Sequence, residues 1–265
     1  MDDINQTVPQ PVRQFKKDAL NVEIFETQPA MALNAAHTVR NYLIGQLEAN
    51  GSVRAILATG NSQIQFLKTL IDLGGVDWSR VTLFHMDEYL GISETHKASF
   101  WLYMKERVES LVKPQNFHYL IGDAPLPLDE CERYSKLLQE APIDLCCLGV
   151  GENGHIAFND PPVADLRDPH LVKLVKLDDT CKIQQVNEGH FPSLEAVPPY
   201  AFTLTIPALC TAKKMICLSP ETRKAKAVQA ALEGEIGTAC PASALHEQSQ
   251  ATIYLDQDSS ALLGQ

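Results

Sequence analysis

The chain has 265 residues, 45% of them hydrophobic, enough to bury a full core within one large α/β domain or two small ones. Its 22 basic residues are outnumbered by 33 acidic ones, and a formal net charge of −11 argues against nonspecific nucleic-acid binding and against adhesion to an anionic membrane. No apolar run approaches the roughly 18 residues a membrane span needs, and the opening stretch up to Leu20 lacks the apolar core of a secretory signal. The 7 cysteines form no C-x-x-C pair, so reduced core thiols and a cytoplasmic setting are expected.

In chain order, a short strand is predicted over 21–25 and a helix over 29–48, closed by Asn50-Gly51. A buried strand over 53–58 turns through Thr59-Gly60-Asn61-Ser62 into a helix that runs to about Leu73. The next strand is 81–86 and the next helix 99–112; a further helix covers 128–139 and leads to an apolar strand over 143–150. Within that strand Cys146 and Cys147 are adjacent, so their side chains should point to opposite faces. Residues 160–199 are rich in Pro and Asp and poor in periodicity, which suits a lid or a long excursion over a site. An apolar segment at 201–205, a strand at 214–218, a helix at 221–233 and a last strand at 251–255 complete the chain. Alternation of fully apolar strands with helices predicts a single-domain, doubly wound α/β fold, a mostly parallel sheet with helices on both faces.

Three constellations could carry chemistry. In the first, Gly60 permits close backbone approach, Ser62 is a good N-cap, and the helix start offers unpaired N–H groups and a positive dipole end that suit a phosphate. An ordinary strand-to-helix turn has the same look, since neither G-x-G-x-x-G nor a P-loop is present. In the second, the strand Val81-Thr82-Leu83-Phe84-His85-Met86 ends in Asp87-Glu88, where open α/β sheets bind ligands. Adjacent acids alternate sides, so only one need face a pocket, where partial desolvation would make it a usable base. A solvated loop start fits the pair equally. In the third, the strand before Gly149 runs into Gly151, Asn153, Gly154, His155, Asn159 and Asp160. The glycines allow close approach of a ligand, His155 can move a proton near neutrality, and Asn153 or Asp160 could orient its ring. His85, Asp87, His155, His170 and His190 lack any metal-site spacing, so no metal is assigned, and no G-x-S-x-G nucleophile motif occurs.

Together these segments resemble the glucosamine-6-phosphate deaminase (isomerase) family: L-A-T-G-N-S at 57–62, F-H-M-D-E-Y-L-G at 84–91 and L-G-V-G-E-N-G-H-I-A-F-N at 148–159. The similarity continues in the same order through 201–206, 224–234 and 241–245, and spans residues 22–255. The joint occurrence of M-D-E-Y and G-x-N-G-H-I-A-F-N makes it specific. The resemblance implies a doubly wound fold and a cofactor-free isomerase and hydrolase. Its reaction takes an amino-sugar phosphate, glucosamine 6-phosphate first of all, to a ketose phosphate plus ammonia. His155 would open the sugar ring and Asp87 would move the proton from C2 to C1, while Asn153 and Asp160 hold His155 in its working tautomer. Thr59, Gly60, Asn61, Ser62 and Gly151 would bind substrate, with Lys224 as a point charge on its phosphate. Glu88 is read as a polar-network acid. The partner implied is a small sugar phosphate, and a homo-oligomer is in keeping with the family.

The chain departs from the family pattern at three places. Well-known members carry Asp where this chain has Asn153, Glu where it has Asp160, and an Arg in an N-x-R-F segment. Here the corresponding stretch reads Gln184-Gln185-Val186-Asn187-Glu188-Gly189-His190-Phe191, leaving Gln185 or His190 as replacements. The rivals are a 6-phosphogluconolactonase, which typically reads D-E-R and G-H-x-A-S-L-F-P at the two motifs, and a sugar-phosphate sensor that kept the pocket.

Overall fold

The computed structural model describes residues 7–264; residues 1–6, the start of the stretch read above as lacking a secretory signal, lie outside it. Its strands are β1 (Arg13–Lys17), β2 (Leu20–Phe25), β3 (Val53–Leu57), β4 (Val81–His85), β5 (Asp87–Tyr89), β6 (Asn116–His118), β7 (Leu145–Gly149), β8 (Val172–Lys176), β9 (Tyr200–Leu204), β10 (Lys214–Leu218) and β11 (Ala251–Asp256). Eight of them form a central sheet in the order β1-β2-β11-β10-β7-β3-β4-β6. Every pairing in it is parallel except the β1–β2 hairpin. The central strands are buried on both faces, which is why they read as unbroken apolar runs.

Helices cover both faces. On one side lie α1 (Gln28–Asn50), α2 (Asn61–Leu73) and α3 (Phe100–Met104), the last continuing through a π-helical stretch at Lys105–Glu109 into the short α4 (Ser110–Val112). On the other lie α5 (Pro127–Gln139), α7 (Ile206–Cys210) and α8 (Ala225–Glu233), with α6 (Asp179–Asn187) set apart over the third core described below. Local chemistry fixes the ends of α1: the Thr27 hydroxyl accepts from the Ala30 N–H at 3.3 Å, and Gly51, at φ 81°, stops the helix in the left-handed region. As expected for adjacent strand residues, Cys146 packs into one core and Cys147 into the other. All 7 cysteines are unpaired.

A second, 3-stranded antiparallel sheet, β5-β9-β8, stands beyond the carboxyl end of β4. Only Met86 separates β4 from β5, and the Leu204 N–H donates to its carbonyl at 2.8 Å, joining the two sheets at that point. Behind this sheet a third core gathers Tyr89, Phe100, Phe158, Val175 and Phe191.

Several expectations need correction. Residues 160–199 are not irregular: they hold β8, α6 and a 3-10 turn at Leu194–Ala196, and no single period dominates because each element is short. β1 and β6 fall where no strand is predicted. Arg13, Lys16 and Lys17 leave β1 one core-facing aromatic, Phe15, as befits a charged edge strand, and β6 has 3 residues. The helix predicted over 221–233 begins at Ala225, after a 3-10 turn at Thr222–Lys224.

Candidate active site

A cleft of ≈ 610 Å³, its open mouth included, lies at the carboxyl ends of β3, β4, β7 and β10. This is where the loops of a parallel α/β sheet converge. The three predicted constellations all reach it: Thr59, Gly60, Asn61 and Ser62 from β3, Asp87 from β5, and Gly151 and His155 from the loop after β7. Lys224 enters from the turn before α8, and Gln184, Gln185, Glu188 and His190 close the front from α6 and its end.

The first turn differs from expectation in one detail. Ser62 is not the N-cap of α2; Gly60 is, at φ 100° and ψ 165°, a conformation open to glycine, and the helix starts at Asn61. No side chain caps this end; the Gln63 N–H donates back to the Gly60 carbonyl at 3.1 Å, which leaves the Asn61 and Ser62 N–H groups for an anion. Ser62, within the first turn, lines the cleft with its hydroxyl accepting from Gln63 Nε2 at 3.1 Å. The Tyr103 hydroxyl donates to the Gly60 carbonyl at 3.1 Å and fixes the turn to α3.

Alternation along β5 sends the two acids apart. Asp87 lines the cleft, is 7% exposed, and its Oδ1 has no hydrogen-bond partner among the described residues. Burial, then the neighbouring Glu88 charge, hold its carboxyl well above the usual range. At the wall of the cleft, this acceptor is available for a hydrogen bond or a proton from a bound ligand. Glu88, fully buried, turns the other way and accepts from the Tyr89, Phe100 and Trp101 N–H groups and the Ser99 hydroxyl at 2.8–3.1 Å. It therefore caps α3 and ties it to β5. Burial pushes its carboxyl up to about 7 while those donors pull it back.

His155 is held from behind. Its Nδ1 lies 2.7 Å from Asn153 Oδ1 and 2.9 Å from Asp160 Oδ1, and Asn153 Nδ2 donates to the same Asp160 oxygen at 2.9 Å. Asp160 is fully buried; burial would raise its carboxyl, but hydrogen bonds and charge from His155, with Asn153 assisting, bring it below the usual value. A permanent carboxylate at Nδ1 leaves Nε2 for the cleft. Gly151 makes room for the ring, since a Cβ there would sit 2.1 Å from His155 Cε1. The loop is also registered to the acid. Asp87 pairs with Thr203 across β5–β9, and the Thr203 hydroxyl accepts from the Phe158 N–H at 3.0 Å.

Of the five metal candidates in the sequence, only His155 joins a compact set of donors among the described residues, with Asp160 and Cys181 within 4.8 Å of one another. Its Nδ1 and the Asp160 oxygen are already bonded to each other, so the trio reads as part of the histidine mount. Lys224, also in the cleft lining, is 4% exposed, and burial followed by the Arg223 charge lowers its ammonium to about 8.

Arg223 and Glu188 are the charged cleft residues that sequence reasoning missed. Arg223 precedes Lys224 directly, and that adjacency is the signal that could have found it. Glu188 carried no signal, because its place depends on where α6 ends.

A family model described as glucosamine-6-phosphate isomerases/6-phosphogluconolactonase matches residues 26–254. A glucosamine-6-phosphate deaminase of Bacillus cytotoxicus is 30% identical over 243 residues, 92% of this chain and 89% of that protein. One from Listeria monocytogenes is 33% identical over 236 residues, 85% of this chain and 98% of that protein. Among solved structures, a monomeric glucosamine-6-phosphate deaminase superposes with a TM-score of 0.84 at 29% identity, covering 91% of this chain and 99% of that one. A 6-phosphogluconolactonase from Shewanella baltica shares the fold at 17% identity, with a TM-score of 0.73 over 89% of this chain and 96% of that one.

Proposed function

This chain belongs to the family of glucosamine-6-phosphate isomerases and 6-phosphogluconolactonases, and we propose that within it the chain is a glucosamine-6-phosphate deaminase. The observation that carries this reading is Asp87. It is a buried carboxylate with a free acceptor oxygen, set in a cleft that is also lined by an anchored imidazole, an uncapped helix start and Lys224. The phosphate docks on the Gly60–Ser62 turn and Lys224. His155 carries a proton between the ring oxygen and the anomeric hydroxyl, with Asn153 and Asp160 keeping its tautomer, and the aldehyde opens. Asp87 then removes the C2 proton, giving an enolamine, and returns it at C1. The product is an imine at C2. Water adds to it, the C–N bond breaks, and fructose 6-phosphate and ammonia leave, so the step is hydrolytic in outcome and needs no cofactor. The setting we assign is cytoplasmic, on the 7 unpaired cysteines; among the described residues no helix is long and apolar enough to cross a membrane.

The test is ammonia and ketose-phosphate release from glucosamine 6-phosphate, run beside galactosamine 6-phosphate and 6-phosphogluconolactone. Ammonia with fructose 6-phosphate is the expected result. Binding of the amino sugars without ammonia would make the protein a sensor, and hydrolysis of the lactone alone would make it a lactonase. A companion variant probes the histidine mount. Gly151→Ala sets a methyl against the His155 ring, so the ring or its loop has to shift, and kcat for ammonia release is expected to fall about 100-fold with the melting temperature little changed. An unchanged kcat would remove His155 from the reaction.

A further inference from the structure

The phosphate end of the cleft holds a group the proposed reaction does not use. Glu188 lines the cleft yet is only 7% exposed, and donors surround it. Gln184 Nε2 donates to Glu188 Oε1 at 2.9 Å, and Arg223 Nη1 bonds the same oxygen. His190 Nε2 stands 3.3 Å from Oε2, and the Lys224 charge also acts on the carboxylate. An amide, a guanidinium and an imidazole converging on one carboxylate, with the Lys224 ammonium lining the same cleft, make an anion site, and the chain fills it with its own carboxylate.

Arg223 is presented with care. Glu221, two residues before it, sits at φ 80° and ψ 145°, a backbone conformation costly for any residue but glycine. Both Asp256 carboxylate oxygens accept its N–H, at 3.2 and 3.1 Å, and hold the turn in place. From that turn Arg223 Nε donates to Glu221 at 2.6 Å and Nη1 to Glu152 at 3.0 Å, while Nη2 makes no hydrogen bond among the described residues. Glu152 and Glu221 steady the guanidinium from outside the cleft; of its three carboxylate partners only Glu188 lines it. Three acids against Arg223 and Lys224 would repel a phosphate dianion, so one acid has to withdraw for phosphate to bind.

Resting on the sugar-phosphate reading above, we propose that Arg223 is the arginine that grips the substrate phosphate in this chain, and that Glu188 is a stand-in anion which the phosphate displaces. The 184–191 stretch then supplies a competing carboxylate in place of the family's arginine, and the arginine comes instead from the turn before α8. Displacement makes the site selective, because a neutral sugar has nothing to exchange for Glu188. The same contact keeps the donors ordered in the free protein.

Titration with inorganic phosphate tests this without turnover, alongside KM and kcat for glucosamine 6-phosphate. Glu188→Gln is expected to bind phosphate roughly 5- to 10-fold more tightly and to lower KM, since a charge-assisted competitor is gone. Arg223→Gln, with Arg223→Lys as a second variant should the first fold poorly, is expected to weaken phosphate binding roughly 10- to 100-fold, with the loss falling on KM more than on kcat. In the Arg223→Gln background, Glu188→Gln should gain much less. Phosphate affinity in Glu188→Gln equal to or weaker than wild type would overturn the displacement, and full affinity in both Arg223 variants would leave the arginine a structural ion-pair hub. The deaminase reading fails separately: wild-type protein that binds phosphate by this pattern and releases no ammonia retains the exchange and loses the reaction.

Discussion

Asp87→Asn lowers kcat for ammonia release by about 1000-fold, within the range for removing a positioned general base, and leaves substrate binding nearly intact. The asparagine keeps the shape of the side chain and can still accept one hydrogen bond, but it cannot take the C2 proton. The wild-type pH profile carries the same information. Burial raises the Asp87 carboxyl, so its conjugate base is stronger than a surface aspartate and is lost sooner on acidification. The acid limb of kcat/KM should therefore stand clearly above the 3.8 of an ordinary aspartate, with activity falling as pH drops through it. On the alkaline side Lys224, lowered to about 8, loses its charge and with it part of the phosphate grip, so kcat/KM declines as pH rises past that value. A profile flat from pH 4 to 10, or an Asp87→Asn variant within tenfold of wild type, would exclude this carboxylate as the base.

The second large effect is on stability. Glu88→Ala is expected to cost about 3 kcal/mol or more, because buried N–H groups left without acceptors each cost about 1–3 kcal/mol. Four donors converge on this carboxylate, and two of them, the Phe100 and Trp101 N–H groups, belong to the first turn of α3. Removing it leaves the Phe100 and Trp101 N–H groups without their acceptor and unties α3 from β5, with only the Ser99 hydroxyl still capping the helix through the Leu102 N–H. Glu88→Gln should lose less, since the amide oxygen still accepts from two donors while its NH2 faces the others. Urea unfolding of both variants at neutral pH measures the difference; a loss below about 0.5 kcal/mol for the alanine, the scatter of ordinary surface changes, would mean that water replaces the carboxylate.

Much of this was legible in the sequence where a single period or a contiguous motif carried it. The strands at 53–57, 81–85 and 214–218 show as short apolar runs because they are covered on both faces, and the helix at 61–73 shows by its spacing. Asp87, Gly151, His155 and Lys224 lie in the cleft, while Asn153 and Asp160 lie behind it, because each belongs to a segment that leaves the carboxyl end of a central strand, and the sheet brings those ends to one edge. What escaped depends on tertiary pairing. β8 has partners only once β9 crosses to meet β5, and its five residues mix lysine with valine and leucine. The Ser62 cap was misplaced by two residues because Gly60 can hold a conformation that makes a side-chain cap unnecessary. Arg223 and Glu188 are 35 residues apart, and no local pattern relates a turn before one helix to the end of another.

The break at Met86 has one more consequence. Asp87 rides on the small antiparallel sheet, whereas the Gly60 turn and Lys224 rise from the central one, and the two sheets are pinned where the Leu204 N–H meets the Met86 carbonyl. On the proposed roles, the two sheets set the span between a phosphate held at the Gly60 turn and Lys224 and the carbon that meets Asp87, so a sugar phosphate one carbon shorter is expected to satisfy one of the two contacts and to turn over poorly.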